Sequence, residues 1–177
     1  MRHEQNGRVD VLPAVLLVMG VSGAGKSTHA AALAEEFGWP FKDADEFHPQ
    51  TNIDKMAAGA PLDDTDRWPW LDRIAAWIDS HRTEGTHGIV TCSALKRIYR
   101  HRLLEGRPDV RLVYLKGEHD LIERRMIARA DHFMPPKLLA SQFATLEEPV
   151  PSEWAIVVPI DRSPRYIKEQ ILAEIAQ

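Results

Sequence analysis

Gly20-Val21-Ser22-Gly23-Ala24-Gly25-Lys26-Ser27 fits the pattern G-x-x-x-x-G-K-[ST], which is typical of a phosphate-binding loop, or P-loop. The loop follows an apolar run at residues 14–19 that predicts a buried strand. It leads into an Ala-rich segment at residues 28–37 that predicts a helix. In this order the backbone N–H groups and the positive end of the helix can face a phosphate. The sequence therefore predicts that the chain binds a nucleoside triphosphate.

Two side chains of the loop have distinct predicted tasks. The Lys26 ammonium supplies a positive charge for the outer phosphates, so we predict that it is both a nucleotide-binding and a catalytic residue. The Ser27 hydroxyl is placed to bind Mg²⁺. The predicted nucleotide-binding residues of this region are Gly20, Val21, Ser22, Gly23, Ala24, Gly25, Lys26, Ser27 and Thr28.

Bulk properties limit the class of protein. The 177 residues suggest one domain, and we expect residues 1–12 to be an N-terminal extension and residues 13–177 to form that domain. A net charge of −4 and a pI of about 6.1 give no reason to expect a nucleic-acid partner. No apolar stretch approaches the roughly 20 residues that span a bilayer, so no membrane partner is expected. The single cysteine, Cys92, excludes an internal disulfide and fits a cytoplasmic protein.

Strand and helix patterns alternate along the chain, which predicts an α/β fold with a parallel sheet. The predicted strands are residues 14–19, 40–43, 88–92, 110–115 and 154–158. The predicted helices are residues 26–37, 65–82, 96–105, 119–130, 136–144 and 164–176. Two polar or Pro-rich stretches interrupt the alternation, and we expect a substrate region at about residues 46–66 and a mobile lid at about residues 129–151.

Two carboxylates follow the second predicted strand. Because side chains alternate along a strand, Asp43 and Asp45 are expected on the same side, near the carboxyl edge of the sheet where ligands bind. We predict that Asp43 supports Mg²⁺ and that Asp45 orients the substrate or accepts the proton of an attacking hydroxyl. A solvated turn or a helix cap would explain the same pair.

The segment after Asp45 is rich in side chains that could bind a small polyhydroxy compound, and a charged surface loop would explain the same composition. Its main donors and acceptors are His48, Asn52, Lys55, Asp63 and Arg67.

Two arginines precede the predicted lid. Arg125 and Arg129 are four residues apart in a predicted helix, so they are expected on one helical face. Two guanidinium groups there could clamp the triphosphate and stabilise charge during transfer, although a solvated basic face is the alternative. His132 could bind a ligand or serve as a base, but a lone histidine near a hinge is more often structural.

Several segments together resemble the gluconokinases, a family of the P-loop small-molecule kinases. The matching segments run in family order over nearly the whole chain after Val11. The more specific ones are H-P-x-x-N-I-x-K-M from His48 to Met56, P-L-x-D-x-D-R ending at Arg67, and C-S-A-L-K ending at Lys96. The remaining ones are MGVSGAGKS at 19–27, YLKG at 114–117 and HFMPPKLLASQFATLEEP at 132–149. The relatives usually have Gly where this chain has Ala44.

The resemblance implies transfer of the γ-phosphate of ATP to the 6-hydroxyl of D-gluconate, with Mg²⁺ as cofactor, in gluconate catabolism. It also implies a three-layer α/β/α fold with a five-stranded parallel sheet, similar to adenylate and shikimate kinases, and a homodimer. Arg162, after the last strand, lies where relatives place the adenine pocket. Which of Lys55, Arg67 and Lys96 meets the gluconate carboxylate stays open. The substrate-binding residues expected on this basis are Asp45, His48, Asn52, Lys55, Met56, Arg67, Lys96 and His132.

Two alternatives remain at this stage. One is a kinase of another small hydroxy acid, such as shikimate, or of a nucleotide. The other is a nucleotide-binding regulator without catalytic activity, although the chain has no N-K-x-D motif of the kind expected in a GTPase.

Overall fold

The computed structural model describes residues 11–129 and 136–177. Within these residues five strands form one parallel sheet in the order β2-β3-β1-β4-β5. The strands are β1 (Val15–Met19), β2 (Phe41–Asp43), β3 (Gly88–Thr91), β4 (Val110–Lys116) and β5 (Ile156–Pro159). The predicted α/β fold with a five-stranded parallel sheet is confirmed.

β1 lies in the middle of the sheet, and all five of its residues are fully buried. Its side chains alternate between two hydrophobic cores because successive residues of a strand point to opposite faces. Val15, Leu17 and Met19 lie in one core, whereas Leu16 and Val18 lie in the other. A strand covered on both faces reads as a continuous apolar run, which explains the pattern seen in the sequence.

Helices cover both faces of the sheet and complete the three-layer architecture. α3 and α4 contribute buried residues to the core that contains Val15, while α1, α5, α6 and α7 contribute to the other core. The helices are α1 (Lys26–Phe37), α2 (Gln50–Ala57), α3 (Asp64–Glu84), α4 (Arg97–Leu104), α5 (His119–Ala128), α6 (Pro136–Thr145) and α7 (Pro164–Ile175). Short 3₁₀ turns occur at Ala44–Phe47 and Pro151–Glu153.

The last strand begins later than predicted. Trp154 was expected to start it, but its φ of 54° places it in the left-handed region, which a β-strand cannot accommodate. β5 therefore starts at Ile156. The expected substrate region contains a full helix, α2, and the expected lid region contains α6. The mobility of that lid stays a prediction, as does the division into an extension and one domain.

The fold brings three chain segments to one edge. β1, β2 and β3 are adjacent and parallel, so the P-loop after Met19, the turn after Asp43 and the loop after Thr91 all leave the carboxyl edge together. In open α/β sheets ligands bind at this edge, beside the strand where the connections change direction. None of the helices within residues 11–129 and 136–177 is long and apolar enough to cross a bilayer.

Candidate active site

A cavity of about 840 Å³ opens at this carboxyl edge. Its walls combine the P-loop and the two predicted carboxylates with residues at the end of β3, at the end of α5 and after β5. The described residues that line it include Ser22 to His29, Asp43 to Asp45, Trp70, Thr91 to Ser93, Arg125, Met126, Ala128, Arg129, Arg162, Pro164 and Ile167.

The P-loop has the backbone conformation that its glycines permit. Gly23 and Gly25 have φ values of 82° and 89°, in the region that other L-residues rarely adopt. Gly25 is the N-cap of α1 and has no side chain, so it leaves the first N–H groups of the helix for a ligand. A Cβ added to Gly23 would lie 2.7 Å from Met126 Cγ, so this position has no room for a larger residue.

Lys26 lies over the loop to which it belongs. Its ammonium donates hydrogen bonds to the carbonyl oxygens of Gly20 and Val21, each at 3.0 Å. Burial lowers the pKa of Lys26, while the nearby Cys92, Asp43 and Asp45 oppose that shift. The ammonium is thus held where it can face both the loop and a bound phosphate chain.

Cys92 lines the same cavity but is not a nucleophile. Its side chain is buried, and burial raises the pKa of the thiol to about 12. Because the thiolate is the reactive form, a thiol with this pKa stays inert at neutral pH.

Ser27 and Asp43, the two residues predicted to hold Mg²⁺, are in contact. The Ser27 hydroxyl donates to Asp43 Oδ2 at 3.1 Å. The other carboxylate oxygen of Asp43 accepts the backbone N–H of Asp45 at 2.9 Å, and Glu46 accepts the N–H of Asp43 at 2.8 Å. This capping box fixes the Asp43 side chain next to the P-loop serine. A hydroxyl and a carboxylate in contact suit Mg²⁺, which prefers oxygen ligands.

Asp45 lies at the mouth of the cavity. Partial withdrawal from water raises its pKa, and the adjacent Asp43 charge raises it further. Since 89% of the Asp45 side chain is exposed, water screens both effects and the rise is expected to be small. Its Oδ1 lies 4.0 Å from His48 Nε2. The His48 ring in turn stacks on Trp70, with centroids 4.5 Å apart, and burial lowers the pKa of His48.

The three cations proposed for the acceptor do not line the cavity, and each already has a hydrogen-bond partner. Lys55 Nζ donates to Asp66 Oδ2 at 2.6 Å, and Lys96 Nζ donates to Asp64 Oδ1 at 3.0 Å. The guanidinium of Arg67 donates to the Tyr99 hydroxyl at 2.9 Å, and that hydroxyl donates to Asp64. The three cations therefore belong to a polar cluster at the start of α3 that we call the α3 cluster: Lys55, Asp64, Asp66, Arg67, Lys96 and Tyr99.

The other residues predicted to bind the acceptor lie in and around α2. Asn52 is buried and donates to the Asp66 carbonyl at 2.9 Å, so it joins α2 to α3. Met56 is 43% exposed on α2. The described residues that line the cavity do not include His48, Asn52, Met56 or the three cations of the α3 cluster. His132 lies outside the described residues.

The arginines reach the cavity, but not in the way the helix pattern predicted. α5 ends at Ala128, and Arg129 follows it with an extended backbone at φ −92° and ψ 99°. The helix predicted over residues 119–130 therefore ends two residues early, and Arg129 is its C-cap rather than part of its last turn. Both still line the cavity, as does Arg162, so the three guanidinium groups and Lys26 surround it with positive charge.

Comparison with known proteins identifies the family. A family model described as an AAA domain matches residues 15–149. The chain is 45% identical over 168 residues to "Probable gluconokinase" of Mus musculus, which covers 85% of this chain and 91% of that protein. It is 43% identical over 149 residues to "Thermoresistant gluconokinase" of Escherichia coli (strain K12), covering 84% of this chain and 85% of that protein. The chain belongs to the gluconokinase family.

A solved structure agrees with that assignment. The crystal structure of a gluconokinase from Sinorhizobium meliloti 1021 superposes with a TM-score of 0.83 at 42% identity, covering 93% of each chain. The resemblance stated from the sequence is thus confirmed, and the chain is an ATP-dependent kinase of the gluconokinase family.

Two contacts of this gluconokinase family member were not predicted from the sequence. Tyr99 joins Arg67 to Asp64, and Gln142 of α6 contacts the P-loop at Ser22. Tyr99 lies in a helix with no chemical motif around it, and Gln142 lies 120 residues from its partner. No local pattern signals either contact, because both depend on how the helices pack.

Proposed function

We propose that this protein transfers the γ-phosphate of ATP to the 6-hydroxyl of D-gluconate and releases 6-phospho-D-gluconate and ADP. The observation that supports this most is that the P-loop and Asp45 line one cavity at the carboxyl edge of the sheet. A donor site and a carboxylate base that face the same space are what direct phosphoryl transfer to a hydroxyl requires. Membership in the gluconokinase family supports the choice of acceptor.

The donor side binds and neutralises the triphosphate. The P-loop residues from Ser22 to Ser27, which include the start of α1, line the cavity, and Lys26 adds a full positive charge. Arg125 and Arg129 supply guanidinium groups that can pair with phosphate oxygens as charge develops during transfer. Arg162 lies on the same wall and contributes to the nucleotide site.

Ser27 and Asp43 are the residues that would hold Mg²⁺. Their oxygens are in contact at 3.1 Å beside the P-loop, and two oxygen ligands match the sites in which Mg²⁺ keeps several of its waters. When bound there, the ion would neutralise charge on the outer phosphates.

Asp45 acts on the acceptor. Its carboxylate accepts the proton of the 6-hydroxyl while the hydroxyl oxygen forms a bond to the γ-phosphorus. The bond between that phosphorus and the β–γ bridging oxygen breaks at the same time, and ADP leaves with the electron pair. His48, stacked on Trp70, lies 4.0 Å from the Asp45 carboxylate.

The α3 cluster recognises the other end of gluconate. A sugar acid has a carboxylate that needs a cation and hydroxyls that need donors and acceptors. Lys55, Arg67 and Lys96 offer the cations, and Asn52, Met56 and His132 complete the proposed acceptor site. A homodimer and a cytoplasmic location remain predictions, and light scattering of the purified protein tests the first.

The experiment that tests this function measures ADP release by the purified enzyme with D-gluconate, shikimate and nucleoside monophosphates. We expect turnover with D-gluconate alone, dependent on Mg²⁺, and a product phosphorylated at the 6-position by NMR. Replacement of the base, Asp45→Asn, should lower kcat by about a hundredfold or more. The control Asp54→Asn alters an exposed carboxylate on α2 and should leave kcat unchanged.

Faster turnover of shikimate or a monophosphate would overturn the proposed acceptor. Near-normal kcat in Asp45→Asn would overturn the assignment of the base without affecting the acceptor.

A further inference from the structure

Gln142 of α6 contacts the P-loop, although it lies 120 residues away in the sequence. Its carboxamide oxygen accepts the backbone N–H of Ser22 at 2.7 Å, and its carboxamide nitrogen donates to the Ser22 hydroxyl at 2.8 Å. One side chain thus binds both the backbone N–H and the hydroxyl of a single loop residue. Glutamine suits this because its amide combines an acceptor and two donors at the end of a flexible stem.

The loop that Gln142 contacts is otherwise held at its ends and on one flank. Lys26 bonds the carbonyls of Gly20 and Val21 at the start of the loop. Gly23 packs closely against Met126 of α5. Ser22 lies between these contacts, and the two hydrogen bonds from Gln142 are its side-chain contacts within residues 11–129 and 136–177.

Holding Ser22 matters because the loop is rich in glycine. A glycine-rich segment has many accessible backbone conformations, and binding must restrict them to the one in which its N–H groups converge on a phosphate. A loop that is ordered before the ligand arrives avoids that loss of entropy at the binding step. Ser22 lines the cavity next to Gly23, so a restraint on Ser22 acts directly on the phosphate-binding surface.

We propose that Gln142 is a positioning residue that holds the P-loop in its phosphate-binding conformation and thereby tightens nucleotide binding. The inference rests on the proposed kinase function for its ATP-binding half only, and it does not depend on the acceptor. Gln142 acts through Ser22 and does not touch the reacting atoms.

The test compares variants of the full-length enzyme by calorimetric titration with ADP and with a non-hydrolysable ATP analogue, in the absence of gluconate. Two neutral hydrogen bonds are lost in Gln142→Ala, so we expect Kd for both nucleotides, and KM for ATP, to rise about five- to tenfold. KM for gluconate should not change. The matched control is Ser141→Ala, at the preceding exposed residue of α6, which should behave as the unmodified enzyme.

A second variant changes the hydrogen bonding and the charge at this position but not the size of the side chain. Gln142→Glu keeps the size of the side chain and the acceptor for the Ser22 N–H, but it loses the donor and adds a negative charge beside the phosphates. We expect a larger rise in KM for ATP, of about tenfold or more, with little change in melting temperature. Ser22→Ala keeps the bond to the backbone N–H and should give a smaller rise than Gln142→Ala.

The opposite result would overturn the proposal. If Gln142 competes with a phosphate for the Ser22 N–H, Gln142→Ala will bind both nucleotides more tightly. If the side chain only fills space, Gln142→Ala will lower the melting temperature and leave Kd unchanged in the folded fraction. Because these titrations contain no gluconate, a failure of the proposed acceptor would not alter their outcome.

Discussion

The cation predicted to bind the phosphate donor and those predicted to bind the acceptor are held in different ways. On the donor side, Lys26 is bonded to the backbone carbonyls of its own loop, and no acidic side chain among the described residues forms a salt bridge with it. On the acceptor side, Lys55 and Lys96 are paired with Asp66 and Asp64, and Arg67 is bonded to Tyr99. A phosphate can therefore approach Lys26 without displacing a carboxylate, whereas a sugar acid must share or displace the partners of the α3 cluster.

This difference explains why the donor half of the site can be predicted from the sequence and the acceptor half cannot. The donor half binds mainly through backbone groups that a short motif dictates. The acceptor half depends on side chains that come from α2, α3 and α4 and meet only in the folded chain.

The largest effect is expected from Lys26→Ala. The variant loses both the positive charge for the phosphates and the bonds to Gly20 and Val21, so kcat/KM for ATP should fall by about a thousandfold or more. Gluconate binding, measured by calorimetry without nucleotide, should be unaffected. Lys168→Ala is the matched control, since this lysine of α7 pairs with Glu36 of α1 away from the cavity. Loss of gluconate affinity in Lys26→Ala would show that the two halves are not independent.

The next effect concerns stability on the acceptor side. Arg100 is fully buried and bonds Glu153 at 2.6 Å, and it donates to the carbonyls of Ala94 and Leu95 at 2.9 and 3.3 Å. Ala94 has a φ of 47°, so this pair holds a strained turn between Cys92 and Lys96. Glu153→Ala leaves a buried unpaired guanidinium and should lower the free energy of unfolding by about 3 kcal/mol in urea.

The control for that measurement is Glu169→Ala, which breaks an exposed pair with Arg165 and should change stability little. Equal losses in the two variants would mean that burial of the Arg100 pair is not what matters.

A smaller effect should identify the partner of the gluconate carboxylate. We compare Lys55→Ala, Arg67→Ala and Lys96→Ala and expect the largest rise in KM for gluconate, about ten- to thirtyfold, in Arg67→Ala, because a guanidinium can bind a carboxylate through two bonds. KM for ATP should stay constant. The unmodified enzyme should prefer gluconate over the neutral polyol in which an alcohol replaces the carboxylate. Of the three variants, only Arg67→Ala should lose that preference. A larger change in Lys55→Ala or Lys96→Ala would reassign the carboxylate to that lysine.

The parts that the sequence predicted are those with local causes. The run at residues 14–19 predicts β1 because a strand buried on both faces must be apolar, and the P-loop glycines predict a backbone that only glycine adopts readily. Asp43 and Asp45 both line the cavity at the carboxyl edge, as predicted, but Asp45 lies in the 3₁₀ turn after β2, so the alternation of a strand does not explain its position. The end of α5 was predicted two residues too late, at residue 130 rather than at Ala128.

The contacts that could not be predicted join distant segments. Gln142 and Ser22 are 120 residues apart, and Arg100 and Glu153 are 53 residues apart. Each residue alone reads as an ordinary polar residue of a helix or turn. Their partners follow from the packing of α6 and α4 against the sheet, which a periodic pattern describes only as an apolar face.

The smallest expected effect is on the pH dependence of kcat/KM for gluconate at saturating ATP. Asp45 must be deprotonated to accept a proton, so activity falls as pH drops below its pKa. Withdrawal from water and the Asp43 charge raise that pKa above the ordinary 3.8, which moves the acidic limb to higher pH. The charge on protonated His48 opposes the rise. His48→Gln should therefore move the limb further toward neutral pH, by a fraction of a unit, and Asp54→Asn should not move it. Substrate ionisation is common to all the enzymes, so the difference between them reports Asp45. A limb that stays in place or moves to lower pH in His48→Gln would mean that Asp45 is not the group that titrates.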